Sequence, residues 1–269
     1  MAQTIADVFY EALRLDLPEA LAAKSEGAFR PISHQELHLR VDRLALALHA
    51  RGLKAGDRLA LLSENRPEWA MADFACALSG IVSVPIYHTL NAEQTAWIVR
   101  HSGARWALCS SPAQLTKLKT FQHELPDLEA VVLLDGEVPE GMEIPVLRWS
   151  QLQEEGAALD EQRPEVRRWA SERRPEDLLT LIYTSGTTGD PKGVMLTHGN
   201  LASNITHAVE AALPALRPER GDRCLSALPL SHIFERLGGH YAMFYLGVAI
   251  FYCESLISLP QNLVEVRPT

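Results

Sequence analysis

Short apolar runs alternate with amphipathic stretches along most of the chain. Ser33 stands three residues before Glu36, a capping-box spacing, and Leu37, Val41, Leu44, Ala45 and Leu48 follow at helical intervals. Gly52 ends that pattern, as a left-handed C-terminal position favours. A strand is predicted over 59–63, LALLS. A helix over 67–80 follows, with Pro67 in its first turn. SVPIY predicts the next strand, Asn91 caps a helix to about Ser102, and WALCS and VVLLD are strands flanking a helix over 112–124. Runs such as LALLS and VVLLD are apolar on both faces, which parallel strands covered by helices require. The fold class is therefore α/β, with open, mostly parallel doubly wound sheets and helices on both faces.

Two stretches depart from this rhythm. Between Asp160 and Asp177, 11 of 18 residues are charged, which predicts a solvated connection. The expected organisation is a first lobe over 1–159, a linker over 160–177, and the start of a second lobe over 178–269. The second stretch is LGGHYAMFYLGVAIFYC, 17 uncharged residues from Leu237 to Cys253. It is shorter than the roughly 20 apolar residues of a spanning helix and holds His240 and three glycines. It reads as a buried helix, a turn at Gly247 and a buried strand.

The 269 residues carry 25 Lys plus Arg against 34 Asp plus Glu, a formal charge of −9. This balance argues against nucleic acid as a partner, and an anionic ligand would need local cations and backbone dipoles. Cys76, Cys109, Cys224 and Cys253 stand too far apart for a CxxC pair or a zinc knuckle and read as buried free thiols in a reducing compartment. The first 20 residues lack the basic start and unbroken apolar core of a secretory signal, so the expected location is cytoplasmic.

Candidate chemistry concentrates after LLTLIY. From Thr184 to Gly193 come four hydroxyls, three glycines and one lysine, with no large apolar side chain. Glycines let successive N–H groups converge on one concavity, and Thr184, Ser185, Thr187 and Thr188 add rotatable donors. Lys192 adds a full positive charge. The stretch suits a polyphosphate but fails the Walker spacing, because Lys192 lies six residues after Gly186 and is followed by Gly193.

YTSGTTGDPKGVMLTHGN (183–200) resembles the signature phosphate loop of the adenylate-forming, AMP-binding superfamily: acyl- and aryl-CoA synthetases, luciferases and peptide-synthetase adenylation domains. LPLSHIFER (228–236), LSENRPEW (62–69) and SVPIYHTL (83–90) are similar to the long-chain fatty acyl-CoA synthetase branch, and the resemblance runs to the closing QNLVEVRPT. It implies a two-step ligase that uses ATP, Mg²⁺ and CoA to convert a long-chain fatty acid to an acyl-adenylate and then an acyl-CoA. Thr184, Ser185, Gly186, Thr187, Thr188, Gly189 and Lys192 would bind the nucleotide, and Thr184 would help hold Mg²⁺. Lys192 and His232 would be catalytic, with His232 and Arg236 on the acyl side. A helix starting near Ser231 would put His232 and Arg236 on one face. His232, Glu235 and His240 do not form a metal triad.

The resemblance also marks what is absent. There is no Y-G-x-T-E segment and no small C-terminal domain with its hinge and lysine, and T-G-D occurs only inside the phosphate loop. The expectation is an N-terminal portion of a synthetase, inactive alone, whose partners are small-molecule substrates and a missing C-terminal half. Peripheral membrane contact is left to the longer protein. The alternatives are a fatty acyl-AMP ligase that passes its product to a carrier protein, and a non-catalytic nucleotide- or acyl-binding module.

Overall fold

The computed structural model describes residues 1–184, 191–216, 219 and 221–269. Helix α1 (Ile5–Leu13) starts at a Thr4 capping box with Asp7. Strands β1 (Leu21–Ser25) and β2 (Ala28–Ile32) form a hairpin in which Glu26 and Gly27 both have positive φ, as the tight turn that follows strand twist requires. Next come α2 (His34–Ala50), β3 (Arg58–Leu62), α3 (Pro67–Ser79), β4 (Val82–Ile86), α4 (Ala92–Ser102), β5 (Trp106–Cys109), α5 (Pro112–Thr120), β6 (Ala130–Leu133) and β7 (Val146–Arg148). Helices α6 (Trp149–Ala157) and α7 (Arg163–Ser171) lead to β8 (Leu178–Thr184) and β9 (Lys192–Thr197). Helix α8 (His198–Leu216), β10 (Arg223–Ser226), a π-helix (Glu235–Ala242), α9 (Met243–Leu246), β11 (Ala249–Tyr252) and α10 (Leu259–Val266) complete the order.

Seven strands form one sheet in the order β7-β6-β5-β3-β4-β8-β9, parallel except for β9. Four form a second, β10-β11-β1-β2, in which β2 alone is antiparallel. Alternation along β3 fixes how the large sheet is covered. Leu59 and Leu61 enter a core shared with α1, α2 and α3, whereas Ala60 and Leu62 enter a second core with residues of α4 and α5. Helix α3 touches β3 and β4 of the large sheet and β1 of the small one. It is buried all round, which its sequence PEWAMADFACALS permits because apolar and small side chains occupy every face. The two sheets therefore share one helical layer, and α10 covers the far face of the small sheet through Val266 against Ala22, Ala249 and Phe251.

Three segments add to the reading of the sequence. First, the charged stretch 160–177 carries a solvent-facing helix, α7, that buries Val166 and Ala170, while Arg163 bonds Asp42 at 3.0 Å and Asp160 bonds Arg43 at 2.9 Å, so two of its charges pair back onto α2. Strands on both sides of it share both sheets: β8 pairs with β4, and β11 pairs with β1. Second, Ser33 accepts from the Glu36 amide, but the Glu36 carboxylate pairs with Arg40, so only half of the capping box forms. Third, the segment after Leu230 turns at Ser231 and His232, is helical from Ile233, near the expected start, and passes into the π-helix at Glu235. The buried helix, left-handed Gly247 and buried strand of 237–253 are all present.

No helix among the described residues is long and apolar enough to cross a membrane. The four cysteines are free thiols, with Cys224 less buried than the others. Burial pushes the Cys76 and Cys109 thiols well up, so neither is a nucleophile at neutral pH.

Candidate active site

Strands β4 and β8 run parallel, and their carboxyl ends open onto a cavity of about 480 Å³. In open α/β sheets that edge is where ligands bind. Pro85, Ile86 and Tyr87 line it from β4, and Ile182, Tyr183 and Thr184 from β8. Leu90, Gln94 and Ile98 close one side, and His232 and Ile233 the other. The lining is mostly apolar, with Thr184, Gln94, His232 and two tyrosines as its polar groups. Burial raises the phenols of Tyr87 and Tyr183, so both are neutral donors in the physiological range.

Packing fixes the end of β8. Tyr183 stands edge-on to Trp97 at 5.9 Å, its hydroxyl lies 2.8 Å from His101 Nδ1, and Trp97 stacks on His101 at 4.5 Å. A Cβ on Gly193 would meet the Tyr183 ring at 3.1 Å, so glycine lets β9 approach that ring. Thr184 and Lys192 are antiparallel partners and both are exposed, so the hydroxyl and the ammonium flank the mouth of the stretch that joins the two strands. Ser185, Gly186, Thr187, Thr188 and Gly189 lie outside the described residues. Among the described residues, no three His, Cys, Asp or Glu side chains converge to hold a metal ion.

His232 borders the cavity. Its Nδ1 accepts the Phe234 amide at 3.1 Å, so the neutral ring carries its proton on Nε2. Arg236 does not line the cavity. It follows the bend at His232 and turns into the core, where its guanidinium bonds Asp73, Thr180, Ser83 and Tyr241 with no solvent exposure. Phe244 is core, and Tyr245 donates to Glu11 at 2.7 Å. His198 Nδ1 accepts the Ile5 amide at 3.3 Å, and Asn200 and Thr197 exchange side chain–backbone bonds at the start of α8.

Asn65 escapes a reading of the sequence. It follows β3, and its amide bonds Leu228 O at 2.7 Å, Ser226 Oγ at 3.1 Å and the Leu230 amide at 2.9 Å. Its place beside the strand end, inside LSENRPEW, is the available signal, since its partners lie more than 160 residues away.

A mostly parallel, doubly wound α/β protein with its pocket at the strand ends is the class that this architecture defines. The chain belongs to the family of AMP-binding enzymes, whose model matches residues 15–269. It is 36% identical over 253 residues to "Long chain acyl-CoA synthetase 7, peroxisomal" of Arabidopsis thaliana, an alignment covering 90% of this chain and 34% of the relative. It is 30% identical over 278 residues to "Long-chain-fatty-acid--CoA ligase 5" of Rattus norvegicus, covering 100% of this chain and 40% of the relative. The chain thus spans between a third and two fifths of the length of these relatives. Among solved structures, the N-terminal domain of FACL13 from Mycobacterium tuberculosis superposes with a TM-score of 0.76 at 22% identity, over 99% of this chain and 62% of that one. The anthranilate CoA ligase AuaEII, solved with anthranoyl-AMP, gives 0.76 at 19% identity, over 99% and 48%. At these identities the likeness is one of fold.

Proposed function

We propose that this chain carries the phosphate- and acyl-binding part of an ATP-dependent long-chain acid–thiol ligase. One observation carries the reading: a largely apolar cavity ends beside Thr184 and His232, at the strand edge from which the Lys192 loop departs. An acyl chain fits the apolar walls, and its carboxylate then meets the polar mouth. In the first step a carboxylate oxygen bonds the α-phosphorus of ATP, and the bond to the β-phosphate oxygen breaks with release of pyrophosphate. In the second, the CoA thiolate sulfur bonds the acyl carbon, AMP leaves with the former carboxylate oxygen, and the thiol proton goes to solvent.

The first step brings an anion onto a polyanion. Two unit charges at 4 Å repel by about 1 kcal/mol in water and about 4 kcal/mol at an effective dielectric of 20. Lys192, exposed at the start of β9, would offset phosphate charge, and the Nε2–H of His232 would donate to a carboxylate or adenylate oxygen. Mg²⁺ bound there would neutralise phosphate charge, and the exposed Thr184 hydroxyl can supply one oxygen of a shell completed by phosphate and water. Arg236 acts from the core, through what it holds.

Titration of the chain with sulfamate analogues of acyl-adenylates tests the reading. The dissociation constant should fall as the acyl chain lengthens. Affinity independent of chain length, or no binding, overturns it. The expectation that this chain alone makes no acyl-CoA follows from the share of its relatives that it spans, and palmitate-, ATP- and CoA-dependent thioester formation by the purified chain contradicts it.

A further inference from the structure

We infer that Asn65 is a positioning residue for His232, clamping the 226–230 segment so that the histidine is presented to the cavity with its Nε2–H free. The geometry is unusually complete. Asn65 Nδ2 donates to Leu228 O at 2.7 Å, and its Oδ1 accepts the Leu230 amide at 2.9 Å, so one side chain bridges the two sides of Pro229. The His232 amide in turn donates to Pro229 O at 2.9 Å, which ties the histidine to the clamped turn. Asn65 Nδ2 also reaches Ser226 Oγ at 3.1 Å, and Ser226 donates to Glu235 Oε1 at 2.7 Å. The chain of bonds thereby closes on the first residue of the π-helix, beyond His232, and bonds in such a chain reinforce one another.

On the other side of His232, the Arg236 amide donates to His232 O at 3.1 Å, and its guanidinium is fixed in the core. His232 is therefore held between two anchors. Arg236 supplies the buried one, and Asn65 the one at the carboxyl end of β3. A segment with three glycines nearby (Gly238, Gly239 and Gly247) and a π-helix, a form often found at functional sites, has little local rigidity of its own, so the side-chain anchors set its path. Among the described residues, the Asn65 side chain bonds only this segment, which carries both His232 and Ile233 of the lining, and the tautomer of His232 isolates its effect on the histidine.

The inference rests on the proposed function only in naming the ligand that His232 serves. Its test is chosen to separate the two. Isotope-labelled histidine in the whole chain reports the tautomer of each ring. In the wild type, His232 should show Nδ1 as an acceptor and Nε2 as protonated. In Asn65→Ala the His232 signals should move toward a tautomer average, while His34 and His198, whose Nδ1 atoms accept the Leu17 and Ile5 amides, stay unchanged. A long-chain acyl-sulfamate analogue should bind about tenfold more weakly, with Mg·ATP affinity unaltered. Asn65→Asp keeps an acceptor for the Leu230 amide and loses the donor to Leu228 O, so it should fall between the two; it also serves if Asn65→Ala fails to fold. His232 signals identical to wild type in a folded variant overturn the inference. If the wild-type chain binds no analogue, the proposed function fails, and the tautomer comparison still decides the role of Asn65.

Discussion

Arg236 Nε donates to Asp73 Oδ2 at 2.9 Å, and neither side chain keeps any solvent exposure. Three more neighbours complete the arrangement: Arg236 bonds Thr180 Oγ1 at 2.8 Å and Ser83 Oγ at 2.9 Å, and Tyr241 donates to Asp73. One guanidinium therefore joins α3, β4, β8 and the π-helix. Burial alone would push Arg236 down, but Asp73 and Tyr241 hold it above its ordinary value, so the guanidinium stays charged.

Removing one member strands the other charge in the core. Arg236→Met should lose about 3–5 kcal/mol, a large share of the 5–15 kcal/mol typical of a folded protein. Adding Asp73→Leu should restore most of it, because two apolar side chains can fill the space without an unpaired charge. Urea midpoints of the two variants check this, and a single variant as stable as the wild type contradicts it.

Gly156 lies in α6 where that helix meets α2, and a Cβ there would stand 2.1 Å from Arg43 O. Alanine ordinarily stabilises a helix relative to glycine by up to about 1 kcal/mol. Here Gly156→Ala should instead destabilise by roughly 1–3 kcal/mol, because backbone must move apart. A thermal melt with an unchanged or raised midpoint contradicts the close packing.

Stability should fall on acidification. Burial lowers His34, His198 and His240 from 6.5 to about 4, and each is almost fully shielded. Between pH 6.5 and 4 the unfolded chain binds more protons at these sites than the folded one. The stability they leave intact above pH 6.5 is thus lost as pH falls toward 4. Asp42, raised by burial to about 6, works in the opposite sense, since its folded form holds a proton that the unfolded form releases above 3.8. His38 is lowered to about 4 as well and Glu235 is raised by burial, so four histidines oppose two carboxyls. Urea midpoints should drop between pH 7.5 and pH 4.5, and a rise would contradict the burial of the histidines.

Ile233 borders the cavity next to His232. Ile233→Trp should fill part of its roughly 480 Å³ and abolish the preference for long acyl analogues while leaving Mg·ATP binding intact. Equal loss of both ligands, measured by calorimetry, contradicts the assignment of the apolar part to the acyl chain.

Much of the large sheet is legible because its signals are local. Pro67 and Asn91 mark helix starts, and Gly52 a left-handed helix stop, that the structure reproduces, and β3, β5 and β6 are apolar runs covered on both faces. The small sheet is less so. Its β1 pairs with β11 across more than 220 residues, and no local pattern encodes that partner. The charges of 160–177 mark a solvent-facing segment, and only the pairing of Arg163 with Asp42 and of Asp160 with Arg43 needs another helix. At the site, the motif marks Thr184, Lys192 and His232. Arg236 is misjudged because its one-turn spacing from His232 does not reveal that its guanidinium turns inward to Asp73, 163 residues away in sequence. Asn65 is missed because its role exists only once β3 and the 226–230 turn meet.

Lys192, the exposed strand partner of Thr184, is proposed to offset the charge of a nucleotide's phosphates. Calorimetric titration of Mg·ATP into the chain and its Lys192→Ala variant, at low salt and again at high salt, tests it most directly. Saturable binding by the wild type, weakened at least about tenfold in Lys192→Ala with the fold intact, is the predicted result. Equal affinity of the two, or no binding by the wild type, contradicts it.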